Sequence, residues 1–157
     1  MDNFARMMQL AEEVFAVHDD PTQLQVDAEV LARLRRLHPA AVREEADAEG
    51  PVAWTLLIPT TTELMEAFLS ATLTEQELFE RTPMDVVYEA VYLCSAMVLE
   101  EHRRGGLAKR TTLDGLDKTR KDHRITTLFC WPFTAGGDAL AVALARAARL
   151  PLRIRER

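Results

Sequence analysis

The fold is decided by one stretch in the second half of the chain, which reads Val98-Leu99-Glu100-Glu101-His102-Arg103-Arg104-Gly105-Gly106-Leu107-Ala108-Lys109. Residues 88 to 99, which lead into this stretch and overlap its start, are rich in side chains that suit a buried pleated surface. They predict a central strand. After it the chain becomes polar and basic, and a helix is expected to begin near Gly105 or Gly106. A strand that leads through glycines into a helix directs free backbone N–H groups and the positive end of the helix dipole outward together. The stretch therefore predicts an anion site that a diphosphate fits.

The composition around this site strengthens that interpretation. Residues 1 to 100 carry six basic and 19 acidic side chains, whereas residues 101 to 157 carry 13 basic and six acidic ones. Arg103, Arg104, Lys109 and Arg110 surround the predicted opening, and phosphate is the usual anion for clustered Arg and Lys. The plain alternative is a flexible loop before a solvated basic helix, which the glycine spacing alone does not exclude.

Length and composition indicate a single domain over residues 1–157. The chain is 48% hydrophobic and 28% charged with a formal net charge of −6, which excludes a largely disordered protein. Two cysteines are too few for a disulfide scaffold. The start, Met1-Asp2-Asn3-Phe4-Ala5-Arg6, lacks signal-peptide features, and no apolar run reaches the length of a membrane span. We expect a cytoplasmic protein without a membrane partner.

Helices dominate the first half of the predicted order, interrupted by one hairpin. The steps between Phe4, Met8, Ala11 and Phe15 predict a helix over residues 3–18. A second helix is expected after the Asp20-Pro21 pair, with Gln23 completing its cap and an end before Pro39. Its apolar face is predicted to consist of Val26, Val30, Leu34 and Leu37. Residues 40–58 predict a hairpin around the turn at 47–51, and residues 60–81 predict a helical insertion. Leu64, Phe68 and Ala71 are expected on one face of it, and Thr74 to Glu77 have the spacing of a capping box for a second short helix.

Strands and helices alternate in the second half. The predicted elements are the strand over 88–99, the basic helix, a strand over 125–131, a helix over 139–149 and a short strand over 151–154. This order implies that the two apolar strands pair in parallel through a crossover helix. We therefore predict an α/β protein with a mixed, α+β type of central sheet flanked by helices and with two helices at the N-terminus.

The central stretch resembles the GNAT superfamily of N-acetyltransferases. Their acetyl-CoA motif runs Arg or Gln, two residues, Gly, one residue, then Gly or Ala, and residues 103–108 match it position by position. The resemblance implies a GNAT-like acyl-CoA N-acyltransferase fold that binds acetyl-CoA or CoA. The pyrophosphate would lie on the loop Arg103-Arg104-Gly105-Gly106-Leu107-Ala108-Lys109, and the backbone of Met97, Val98 and Leu99 would bind pantetheine. The next parallel strand would splay away to admit the cofactor.

The chain departs from the family pattern at several positions. Many relatives have Pro at the position of Glu100 and Gly at that of Arg104, and the insertion at 60–81 replaces a simple connection. One strand is expected after the last helix where relatives commonly have two, so the second is absent or comes from another subunit in a homodimer. The family's Glu on the strand before the loop has no counterpart, because Ala90, Tyr92, Cys94 and Ala96 occupy the expected face. The family's acid, a Tyr near the start of the fourth helix, has no counterpart between Phe133 and Arg149.

The resemblance implies transfer of an acetyl group to a small-molecule or peptide amine, but the catalytic residues are open. Glu44 and Glu45 on the hairpin, or a water chain, are the candidate base, and Tyr92 is the candidate acid for the departing thiolate. The alternative function is a CoA-binding or interaction module with little or no transfer activity. We assign no metal to the scattered histidines, expect Cys94 and Cys130 to be reduced thiols, and expect no nucleic-acid partner, since the first half is acidic.

Overall fold

The computed structural model describes residues 2–15, 23–24, 26–132 and 135–156. The helices within them are α1 (Asn3–Phe15), α2 (Ala28–Leu37), α3 (Thr62–Leu69), α4 (Glu75–Arg81), α5 (Leu107–Asp122) and α6 (Ala135–Ala148). Single 3-10 turns lie at Pro39–Ala41 and Glu100–His102. The strands are β1 (Val42–Asp47), β2 (Gly50–Thr60), β3 (Ala90–Val98), β4 (Thr127–Cys130) and β5 (Leu152–Ile154). None of the helices in these ranges has the length and apolar character needed to cross a bilayer.

The described strands form one mixed sheet in the order β1-β2-β3-β4-β5. The first three are antiparallel neighbours, whereas β3, β4 and β5 are parallel. Helix α5 connects β3 to β4 and α6 connects β4 to β5, because parallel neighbours require a crossover. The predicted mixed sheet flanked by helices, its hairpin and its central strand are therefore confirmed.

Helices cover both faces of the sheet, and β2 shows which helix lies on which face. A Cβ atom added to Gly115 of α5 would approach the side chain of Leu57 to 3.3 Å, so this helix packs closely on the face that carries Leu57. Ile58, the next residue, lies opposite Tyr92 of β3 on the other face. There the ring of Tyr92 packs against Phe68 of α3 at 5.0 Å between centroids. The helical insertion thus forms part of the layer opposite α5.

The apolar stripe predicted for α1 is wrong where it can be checked. Met8 is 38% exposed, whereas its neighbour Met7 is fully buried against Val52 and Met97. The helix ends at Phe15, and the predicted continuation to residue 18 lies outside the described residues, as do the side chains of Phe4, Ala11 and Phe15. Met7 and Met8 lie on adjacent faces of the helix, and both are apolar. Tertiary packing decides which of the two faces is buried, and it selects the one with Met7.

The predicted start of α2 is also wrong. Asp20 and Pro21 lie outside the described residues, but Gln23 and Val26 come before the helix instead of inside it. The helix begins at Ala28, because the Asp27 carboxylate accepts the N–H of Val30 at 2.8 Å and caps the first turn. The predicted end before Pro39 and the buried face of Val30, Leu34 and Leu37 are confirmed.

The insertion contains two helices, as the sequence predicts. Thr61 caps α3, and the predicted capping box of α4 is present, since Thr74 and Glu77 each bind the other's backbone. Ala71, which the pattern placed on the apolar face with Leu64 and Phe68, is exposed in a turn with φ +63°. At the other end of the chain, α6 begins at Ala135, four residues before the predicted start.

Candidate ligand-binding site between strands β3 and β4

Strands β3 and β4 separate shortly after they meet. Their pairing covers only Ala90 to Tyr92 against Thr127 to Phe129. Beyond that point β3 continues to Val98 while β4 ends at Cys130, and no described strand pairs with this edge of β3. The predicted splay is therefore present in the geometry: a gap opens beside the last six residues of the central strand.

A β-bulge marks the place where the gap begins. Leu56 lies opposite Ser95 while the adjacent Leu57 lies opposite Leu93, so Cys94 is an extra residue in β3. Bulges bend a strand and shift its side-chain alternation, and they are common beside functional sites. In this strand the bulge puts Tyr92, Ser95 and Met97 on one face of the sheet, since their partners Ile58, Leu56 and Trp54 alternate regularly. The prediction that Tyr92, Cys94 and Ala96 share one face is therefore wrong.

The gap leads into a cavity of about 140 Å³. Its walls come from β2 and β3 beside the bulge, from the end of β4 and the residues after it, from α6 and from one residue of α5. The lining residues used below are Leu93, Cys94, Ser95, Thr112, Leu140 and Ala141. Most of the wall is apolar, so the space suits the uncharged part of a ligand.

The polar side chains among the described wall residues are those of Ser95, Thr112, Trp131 and the two cysteines. The Ser95 hydroxyl oxygen is buried and has no hydrogen-bond partner within the described parts of the chain. Thr112, in contrast, donates its hydroxyl to the carbonyl of Ala108 at 2.7 Å. A buried polar atom without a partner costs free energy, which a ligand that binds it recovers. The Ser95 hydroxyl can thus contact a polar atom of a ligand in this cavity.

Two thiols face the same space. Cys94 is half-buried and Cys130 is buried, and both are free, as the sequence predicts. Burial raises the pKa of the Cys130 thiol to about 11, with a smaller effect from the Asp138 carboxylate. Burial and then the Glu75 carboxylate raise the pKa of Cys94 well above its ordinary value. Both thiols are protonated near neutral pH, so neither acts as a nucleophile there.

The glycine loop lies at the end of β3, where the sequence predicts it. Gly106 precedes α5 with φ +75°, and the N–H groups of Leu107, Ala108 and Lys109 have no acceptor within the described residues. Arg104 also takes a left-handed conformation, with φ +71°. Glycine adopts this backbone conformation more easily than arginine does.

The loop and the cavity lie on the same open edge of β3. Because Leu99 donates its N–H to Val52 of β2, the backbone groups of Val98 and Ala96 point the other way, toward the gap. From Leu99 back to Ala96 the strand spans about 10 Å, and from Leu107 to Thr112 α5 spans about 7.5 Å. The distances suit one extended ligand that reaches from the helix start to the cavity. The Nε of Arg103 now donates to the Val98 carbonyl on this edge at 2.9 Å.

Acidic side chains lie beside the basic loop and fix the first helix against it. Arg6 of α1 contacts Glu101 at 2.6 Å, and this guanidinium lowers the pKa of the Glu101 carboxyl to about 2. Asn3 donates to Asp47 at 3.0 Å, and His102 lies 3.7 Å from the same carboxylate. Helix α1 is thus attached both to the β1–β2 turn and to the segment that enters the loop.

The catalytic candidates named from the sequence lie away from the cavity wall. Tyr92 is 1% exposed, and its hydroxyl donates to the buried Glu75 carboxylate at 2.6 Å. Burial, with Glu75 beside it, raises the pKa of Tyr92 well above 10. Glu44 and Glu45 are exposed on the edge strand β1, two strands from the gap, and Glu44 accepts the indole N–H of Trp54 at 2.8 Å. None of the three is among the described residues that line the cavity.

Sequence reasoning missed Ser95 and the cavity face of α6. Ser95 was hidden because a bulge leaves no reliable signal in a single sequence, and regular alternation assigned it to the wrong face. Leu140 and Leu144 predict an apolar face for the last helix, but that pattern does not distinguish a cavity wall from ordinary packing. Among the described residues, no group of three or more His, Cys, Asp and Glu side chains is placed to hold a metal ion. No family model, no curated protein and no solved structure matches this chain.

Proposed function

We propose that this protein is an acyl-CoA-dependent N-acyltransferase with a GNAT-like fold, and that its acceptor is an amine. The observation that carries the proposal is the open edge of β3, which joins a helix start with unpaired N–H groups to an apolar cavity. The helix start suits a diphosphate, the open strand edge suits an amide-containing arm, and the cavity suits an acyl thioester. These three groups follow one another in acyl-CoA in the same order. Fold alone does not define an activity, so the proposal depends on the site.

Each part of CoA would meet a group that suits its chemistry. The N–H groups of residues 107–109 would bind the pyrophosphate, supported by the helix dipole and by Arg104 and Lys109. The backbone of Ala96 and Val98 would bind the amides of pantetheine, as a neighbouring strand would. Arg103 would have to release the Val98 carbonyl, which frees its guanidinium for a phosphate.

Acyl transfer requires an amine nitrogen to attack the thioester carbonyl carbon. A C–N bond forms, the C–S bond breaks, and the proton lost by the amine ends on the thiolate, which gives an amide and CoA thiol. Ser95 is the described wall residue suited to donate a hydrogen bond to the carbonyl oxygen as its negative charge grows. The amine proton would leave through water, because no carboxylate lies on the described wall.

The same wall supports the second candidate, a CoA-binding module with little or no transferase activity. A placed general base is typically worth about 10² to 10⁴ in rate, and this site offers none from the described residues. The two candidates share the CoA site and differ only in the chemistry that follows.

Calorimetric titration with CoA tests the shared site. Gly106→Val should weaken binding at least ten-fold, because a branched side chain at φ +75° distorts the loop that presents the amides. The matched control is Gly105→Ala, since a Cβ there meets no atom within 4 Å. Equal affinity in Gly106→Val and the parent, or no binding by the parent, would remove the assignment. Steady-state thiol release with a panel of amines then separates a transferase from a binding module.

A further inference from the structure

The cavity that Ser95 lines is larger and more apolar than an acetyl group requires. Its volume is about 140 Å³, and its walls include Leu56, Leu57, Leu93, Leu140 and Leu144. An apolar protein cavity of about 150 Å³ holds a benzene-sized molecule, which has six carbon atoms. The single methyl carbon of an acetyl group would leave most of such a space empty.

The surroundings also favour a mostly apolar occupant over a charged one. Thr112 already donates its hydroxyl to a backbone carbonyl, and the two thiols are held in their neutral form. Ser95 offers a buried hydroxyl without a hydrogen-bond partner among the described groups of the wall. A ligand with one polar carbonyl followed by a short hydrocarbon chain satisfies both features.

We propose that the acyl donor of this site carries a hydrocarbon chain of about four to six carbons rather than acetyl. The proposal rests on the acyl-CoA function above and specifies the substrate class. The thioester carbonyl would lie at Ser95, and the chain would enter the space between β3 and α6. The bonds formed and broken are the same as in acetyl transfer, and a longer acyl group moves from sulfur to nitrogen.

An affinity series with CoA, acetyl-CoA, butyryl-CoA, hexanoyl-CoA and dodecanoyl-CoA tests the proposal by calorimetry. Each buried methylene should tighten binding by about three- to four-fold until the cavity is full, near six carbons. Beyond six carbons the gain should stop. Constant or falling affinity from acetyl-CoA to hexanoyl-CoA overturns the proposal while leaving CoA binding intact. If no member of the series binds, it is the proposed function itself that fails.

Variants of α6 assign any chain-length effect to this cavity. Ala141 is 3% exposed and lines it, so Ala141→Leu should lower the ratio of hexanoyl-CoA to acetyl-CoA affinity at least ten-fold. Ala147→Leu, at an exposed position of the same helix, should leave the ratio as in the parent. Leu140→Ala enlarges the space and should shift the best chain length upward, which provides a test even if Ala141→Leu fails to fold. Unchanged ratios in both cavity variants overturn the assignment.

Discussion

Tyr92→Phe is the substitution that separates a catalytic from a structural use of the central strand. The hydroxyl of Tyr92 donates to one oxygen of the Glu75 carboxylate at 2.6 Å, and the other oxygen accepts the N–H of Leu24 at 2.7 Å. Both side chains are buried, with Tyr92 1% and Glu75 5% exposed. Removing the hydroxyl takes one donor from a buried carboxylate without removing the ring, which stays packed between Phe68 and Phe129.

The expected loss follows from the charge on the acceptor. Hydrogen bonds to charged groups contribute about 1.5 to 3 kcal/mol, and 1 kcal/mol shifts the melting temperature of a domain of this size by about 2 to 4 °C. Tyr92→Phe should therefore lower Tm by about 3 to 12 °C. Tyr88 is an equally buried control, because its hydroxyl donates to the neutral carbonyl of Pro83 at 2.6 Å. Tyr88→Phe should cost about 0.5 to 1.5 kcal/mol.

Differential scanning calorimetry and turnover per folded molecule are measured together on the parent and both variants. We expect the larger Tm loss in Tyr92→Phe, with turnover and CoA affinity close to those of the parent. Tyr92 would instead be the proton donor that the sequence suggests if turnover fell about a hundred-fold at unchanged stability. A Tm loss no greater than that of Tyr88→Phe would refute the argument from the Glu75 carboxylate.

The remaining predictions concern the phosphates, the wall hydroxyl and pH. CoA affinity should fall as the ionic strength rises from low to physiological values. Dephospho-CoA should bind more weakly than CoA, and equal affinities of the two in calorimetry would exclude a contact to the 3′-phosphate. Ser95→Ala should lower turnover about 10²-fold at unchanged CoA affinity, and unchanged turnover would remove Ser95 from the chemistry. Burial and then nearby His38 lower the pKa of His123 below 6.5, so its contribution to stability is present above pH 6.5 and is lost as pH falls. His123→Gln should therefore flatten the decline of Tm between pH 7 and 5, and an unchanged slope would contradict this.

The second half of the fold follows from the sequence because its signals are local and agree with one another. A β-rich apolar run, two glycines and a basic helical stretch each predict one element, and the short connections leave one parallel arrangement. The first half was harder to predict, because its helices are selected by packing. Met7 rather than Met8 is buried, and Asp27 rather than Asp20 begins the second helix, although each pair offers similar local preferences.

The candidate site has one part that the sequence predicts and one part that it does not. The loop from Arg103 to Lys109 could be located from glycines and charge, since both have a direct backbone or electrostatic consequence. The cavity could not, because it depends on one extra residue at Cys94 that reverses the alternation of β3. Regular alternation along the strand predicts Tyr92, Cys94 and Ala96 on one face and Ser95 on the opposite face. The error therefore lies in the register of one strand, not in the choice of elements.

The proposed site is built largely from main-chain groups, and this has a consequence for recognition by sequence. Amides at the start of α5, the open edge of β3 and a left-handed loop can be formed by many side chains, as Arg104 in a conformation typical of glycine illustrates. Apolar walls tolerate exchange among Leu, Ala and Val if their volume is kept. Such a site constrains few positions, so an acyl-CoA-binding chain can preserve its geometry while few residues identify it. Binding measurements with acyl-CoA therefore test the proposal directly, because they report on the main-chain geometry of the site.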